Sequence, residues 1–200
     1  RDIKMKRFIS RKKVLMWLGV VILITSCVVP AFAGNKSVHK QATGCPAVIL
    51  TNEEFMPALI HSIDAAQREI MMSIFSFKAG HHTNSYPDQI ANHLAQAVKR
   101  GVNVFVILER TDEPSDDLDI QNRKTGKLLA EKGIKVYFDS PKKTTHTKLI
   151  VVDQKQIFLG SHNFTQSALK YNNEISVLLE RSDLARDARN YMLKIIEAGK

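Results

Sequence analysis

The stretch 146–163, HTKLIVVDQKQIFLGSHN, decides how this chain folds. After Lys148 come Leu149, Ile150, Val151 and Val152 without polar alternation, the pattern of a strand buried on both faces. Asp153 breaks that run, and 156–161 reads as a second strand. Side chains alternate along a strand, so His146 and Lys148 share a face, and the same parity groups Ser161 with Asn163. Asp153 lies five after Lys148 and points the other way, as a turn residue that holds its loop by hydrogen bonds. Gly160, with no side chain, lets the backbone approach a ligand or a second strand closely.

Outward from this stretch, strands and helices alternate. Strands are expected at 48–50, 70–77, 102–108, 134–138 and 175–179. A helix capped by Thr51 or Asn52 carries Phe55, Leu59, Ile60 and Ile63 at helical spacing. A second spans 87–100, with Pro87 near its start and Gly101 past its end. A third ends near Lys132 at Gly133. The last begins at Ser182 with Leu184, Ala188, Tyr191, Met192 and Ile195 on one face. This alternation predicts an α/β fold, an α-β-α sandwich with a central mixed β-sheet covered on both faces. There is no internal repeat.

An imidazole, an ammonium, a hydroxyl and an amide thus gather where one phosphate can meet all four. The pattern His146-x-Lys148-x4-Asp153-x6-Gly160-Ser161-x-Asn163 resembles the signature of the phospholipase D superfamily and matches it at every position. The segment Tyr171-Asn172-Asn173-Glu174 ahead of the 175–179 strand resembles the small, single-motif bacterial endonucleases of that superfamily. The likeness runs from about Cys45 to the last helix and is weakest around 81–88.

A phosphodiester repels nucleophiles, so its cleavage needs donors on the non-bridging oxygens, a nucleophile and an acid for the leaving oxygen. Lys148, Ser161 and Asn163 would hold the phosphate, and His146 would attack phosphorus to give a phosphohistidine. The resemblance assigns Glu174 the support of the catalytic histidine, by a hydrogen bond to its other ring nitrogen, as the acid does in a serine protease triad. Relatives with two motifs use a second histidine as the acid. This chain carries one copy, and His39, His61, His81, His82, His93 and His162 all lack the His-x-Lys spacing. The resemblance therefore implies a homodimer whose active site lies at the two-fold axis between two His146 side chains. It implies no metal and no cofactor, since two lysines neutralise the charge.

The amino-terminal region has Lys6, Arg7, Arg11, Lys12 and Lys13, then an apolar stretch over 14–29, then Pro30-Ala31-Phe32-Ala33. This is the pattern of a signal peptide cleaved before Gly34, giving an exported, periplasmic or secreted protein. An uncleaved membrane anchor is the alternative, and Leu23-Ile24-Thr25-Ser26-Cys27 resembles a lipobox, which would lipidate Cys27. Residues 34–44 read as a linker and 45–200 as one domain. Cys45 then stands alone, without a partner for an internal disulfide.

The chain carries a net +9, but seven of its 29 Lys and Arg and one of its 20 Asp and Glu precede Gly34, leaving +3 for the rest. Global charge is therefore weak support for a polyanionic partner. A local basic flank of Arg123, Lys124, Lys127, Lys132, Lys135, Lys142 and Lys143 leads into the motif, and Lys142 and Lys143 are candidate substrate contacts. His81 and His82 fall in a loop expected to line the substrate entrance. The function expected is that of an exported, metal-independent phosphodiesterase, nuclease-like by its single motif, small size and basic flank; a phospholipase D acting on head groups and a non-catalytic module that grips phosphate or nucleic acid are the alternatives.

Overall fold

The computed structural model describes residues 46–80, 82, 84–113 and 115–200. The leader, the linker, Cys27, Cys45 and His81 lie outside the described residues. Strands β1 (Ala47–Thr51), β2 (Glu69–Ile74), β3 (Asn103–Leu108), β4 (Lys135–Phe138), β5 (Lys148–Val152), β6 (Gln156–Gly160) and β7 (Ile175–Glu180) form one mixed sheet in the order β1-β7-β6-β5-β2-β3-β4. β2, β3 and β4 run parallel and the remaining pairs are antiparallel. The two motif strands sit at the centre, and all five residues of β5 are buried, as their unbroken apolar run requires.

Helices α1 (Phe55–Ala65), α2 (Tyr86–Lys99), α3 (Asp117–Glu131) and the short α4 (Gln166–Lys170) serve one face of the sheet, and among the described residues α5 (Ser182–Ala198) alone serves the other. On the crowded face Phe55, Leu59, Ile63, Leu94 and Leu129 pack onto Ile70, Met72, Val106 and Ile150. Each such side chain contributes roughly 1.5–3 kcal/mol by leaving water. Thr51 and Glu54 cap the first helical turn reciprocally, so Thr51 takes the capping role. Asn52 does something else: it sits at φ 45 and clasps the site, as described below.

On the sparse face α5 buries Ala185, Met192 and Ile196 against Met71, Ile107, Leu149, Val151 and Ile157. Of the expected stripe Met192 is buried and Ala188 and Ile195 pack partly buried beside it, whereas Leu184 and Tyr191 are exposed and Ala185 and Ile196 are buried instead. Beside this stripe Arg189 reaches Glu69 on β2 at 2.6 and 2.9 Å, a two-point ion pair that ties the helix to the sheet. The strand expected at 70–77 leaves the sheet after Ile74. Beyond that point Phe77 forms an isolated parallel bridge to Phe164, which follows β6. Among the described residues no helix is long and apolar enough to cross a membrane.

Candidate functional site

Register places the motif. Leu149 pairs with Leu159, so Lys148 lies opposite Gly160 and the chain before β5 runs beside Ser161 and His162, one strand spacing of about 5 Å away. Past the end of β6 the chain turns to meet the extension of β2. The Phe164 N–H donates to Ser76 O and the Lys78 N–H to Phe164 O, both at 2.9 Å. Together the strand ends frame a notch at the carboxyl-terminal edge of β2 and β3.

His146 is exposed in this notch, and its Nε2 lies 3.2 Å from Lys148 Nζ. The edge of its ring meets Phe75 at 4.3 Å, and the same aromatic face takes Lys148 Nζ at 4.8 Å. Lys148 itself is only 7% exposed. Burial pulls its pKa below the ordinary lysine value, and the negative charge of Glu174 works against that fall. The Asn163 amide oxygen is buried without a partner, leaving that side chain uncommitted.

Glu174 does not meet His146 within the chain, which corrects the expected contact. Its carboxylate is bonded to the Ser161 hydroxyl and, at 3.1 Å, to Asn172 Nδ2. The reason lies in Asn52, whose left-handed backbone lets its N–H donate to Glu174 O at 2.9 Å while its side-chain oxygen accepts from Glu174 N–H at 2.8 Å. Behind this clasp stands His162, fully buried and stacked on Phe55 at 4.2 Å. Its Nε2–H donates to Asn52 O at 3.1 Å, and its Nδ1 accepts from the Ser176 hydroxyl at 2.7 Å. Burial keeps this imidazole below its usual pKa, opposed by the Asn52 bond and by Glu174, so it serves as a neutral strut. Nothing in the spacing exposed Asn52, which is 122 residues from Glu174. His162 was readable only as the variable position within Gly-Ser-x-Asn.

Asp153 lies at the opposite edge, five residues or about 17 Å from Lys148. Its carboxylate accepts from the N–H groups of Gln67, Arg68 and Glu69 at 2.9, 2.8 and 3.0 Å. Burial works to raise its pKa, but these three donors and the Arg68 charge bring it below the ordinary aspartate value. Gly160 is needed by a second strand: a Cβ there would stand 2.5 Å from Ile175 O and closer still to Ser176.

The basic flank disperses in space. Lys132 bonds Asn92 and Lys135 bonds Asn103, the first residue of β3, at the far edge of the sheet from His146. Arg123 pairs with buried Asp119. Lys142 and Lys143 are exposed on the loop that leads to His146 and touch none of the motif side chains. Under that loop lies Glu109, which accepts from Thr145 N–H at 2.5 Å. Burial first, then the neighbouring Asp139 carboxyl, pushes Glu109 up to about 8. Asp139 Oδ2 is buried and lacks a donor unless Glu109 carries a proton to share with it. Among the described residues no group of three metal-ligating side chains occurs.

Comparison with known proteins supplies independent findings. The family described as "Cardiolipin synthase, PLD-like domain" matches residues 59–196. A phospholipase D of Rickettsia prowazekii is 30% identical over 129 residues, 64% of this chain and 55% of the relative. The mitochondrial cardiolipin hydrolase of Mus musculus is 26% identical over 144 residues, 72% of this chain and 59% of that protein. The chain thus spans little more than half the length of these curated relatives. Among solved structures, the phospholipase D family member Nuc from Salmonella typhimurium superposes with a TM-score of 0.65 at 25% identity, covering 78% of this chain and 97% of Nuc. NucT from Helicobacter pylori has a TM-score of 0.61 at 20% identity over 78% of this chain and 98% of its own, a likeness of fold.

Proposed function

This chain belongs to the phospholipase D superfamily, and from that premise we propose that it is an exported, nuclease-like phosphodiesterase that works through a phosphohistidine and as a homodimer. The observation that carries the chemistry is His146 Nε2 on an open surface 3.2 Å from a buried lysine ammonium. In the resting protein the imidazole lone pair accepts from Lys148. A diester entering the notch takes over that ammonium for its non-bridging oxygens, and Ser161 and Asn163 complete the cradle. Nε2 is then free to form the N–P bond as the P–O bond to the leaving group breaks in line. Water releases the second half of the substrate by the reverse geometry. Two lysines, one from each copy, carry the charge neutralisation, so no divalent ion enters the proposed steps.

The leaving oxygen needs a proton, and among the described residues Lys148 is the one titratable group hydrogen-bonded to His146. A second copy supplies one. An uncovered apolar corner of the sheet borders the site: Ile49, Leu159 and Ile175 are 59%, 48% and 56% exposed on the face that α5 covers elsewhere. Leu159 is two residues from Ser161, and Ile175 adjoins Glu174. Leu184 and Tyr191 lie on the flank of α5 opposite Arg189. In a symmetric interface at this corner a second His146 would reach the phosphate, and Glu174, which does not bond the His146 of its own chain, would meet one across the axis.

Nuclease action is supported by the nearly complete coverage of Nuc and NucT, which are of similar extent. A phospholipase D reading is supported by the names of the curated relatives. Labelled duplex DNA and phosphatidylcholine liposomes, incubated side by side with chelator, separate them: DNA cleavage that survives chelation is expected. His146→Asn should cut turnover by about 10³-fold or more while substrate binding persists. A mutant with unchanged rate removes the nucleophile, and loss of all wild-type activity in chelator removes the mechanism. Export rests on the leader's sequence and is checked by sequencing the mature amino terminus.

A further inference from the structure

Next to the notch, on the side of α2, α3 and α4, lies a second cavity of about 500 Å³ whose lining side chains are all polar, among them Lys78, His82, Ser85, Gln121, Thr165 and Gln166. The chain that forms the site leads directly into it. Thr165 follows Asn163 by two residues in extended backbone, about 7 Å, and Lys78 follows Phe75 by three along the extension of β2. The displacement is that of roughly one step along a single strand's backbone.

Two groups in this cavity lack partners. Lys78 makes no ion pair among the described residues. The Gln121 side-chain oxygen is buried without a donor, an arrangement that costs free energy unless a ligand supplies one. Other lining groups are already engaged: Gln166 Oε1 accepts from Tyr86 N–H at 2.9 Å, Ser85 donates to Asp88, and Thr165 accepts from Ala168 N–H. The cavity therefore asks for an anion and a hydrogen-bond donor on one molecule, about one backbone step from the cleaved diester.

We propose that this cavity is a subsite for the nucleotide flanking the scissile phosphodiester, with Lys78 on its phosphate and Gln121 accepting from a base or sugar donor. The proposal rests on the nuclease-like reading above and narrows it to a polymer with a phosphate at each step. The test compares kcat/KM on a single-stranded oligonucleotide with that on a dinucleoside monophosphate, which has one diester and no neighbouring phosphate. In Lys78→Ala the ratio of the two should fall about tenfold, the loss of one charge-assisted contact. The slope of log KM against log salt should drop by about 0.7. Lys78→Arg should restore both, and Gln121→Glu should repel the oligonucleotide in the same selective way, which keeps the test alive if the alanine variant misfolds. Equal losses on both substrates, or an unchanged ratio in the charge variants, overturn the subsite while leaving the nuclease reading intact. Wild-type protein that hydrolyses phosphatidylcholine vesicles and neither nucleic acid overturns both.

Discussion

Gly160→Ala adds one methyl group at the point where β6 and β7 come closest. The new Cβ would lie 2.5 Å from Ile175 O and nearer still to the Cα and Oγ of Ser176. Ordinary contacts between such atoms are about 3.5–4.0 Å, so an ångström or more must be found. Neither a carbonyl oxygen nor a Cα can swing aside, so the strands themselves must part. Overpacking of this kind costs typically about 1–3 kcal/mol, and with backbone as the obstacle we expect the upper end, about 3 kcal/mol. For a chain of this size that lowers Tm by roughly 6–12 °C. Displacement at Gly160 also moves Ser161 and the Ser176–His162–Asn52 strut that holds Glu174. Activity per folded molecule should therefore fall as well. Urea titration followed by circular dichroism, with diester hydrolysis on the same samples, measures both. A midpoint within error of wild type would refute the claim that Gly160 exists for strand approach.

Asp153→Ala should remove three N–H acceptor contacts and destabilise by about 2–3 kcal/mol, with turnover of the folded fraction unchanged because the residue lies at the far edge; reduced turnover at full folding would return Asp153 to the chemistry. Glu109 gives a pH signature. Its folded pKa is raised from 4.5 to about 8, so the fold keeps a proton the unfolded chain releases; stability should rise as pH falls from about 8, by up to about 1.4 kcal/mol per unit, and level off below about 4.5. Glu109→Gln should flatten that profile, and an unaltered slope would place the proton elsewhere. If the proposed homodimer forms through the exposed apolar corner of the sheet, Leu159→Asp should give monomers in light scattering and abolish hydrolysis in parallel, whereas a fully active monomer would require another proton source.

Much of the fold was legible because burial writes itself into local pattern. The unbroken apolar run of β5, the helical spacing of Phe55, Leu59 and Ile63, and glycines after α2 and α3 each reflect short-range constraints. Element ends were less readable. The strand expected over 70–77 ends at Ile74, and its continuation pairs with Thr147 and then Phe164, a contact between distant segments. The pairing of Arg189 on α5 with Glu69, 120 residues away, left no mark in the local pattern. Short α4 carries too few residues to show a period.

By itself the sequence determined that His146, Lys148, Ser161 and Asn163 gather at one end of the sheet, since they sit at spacings that a β-hairpin collects there. Only the tertiary structure decided which neighbours each acquires: Glu174 with Ser161 and Asn52 rather than His146, Asp153 in a remote turn, the basic flank dispersed, and Lys78 and Gln121 facing one cavity. The physical reason is that parity along a strand is a local property of the backbone. Contacts between residues a hundred positions apart depend on how seven strands are ordered, which no short-range pattern encodes.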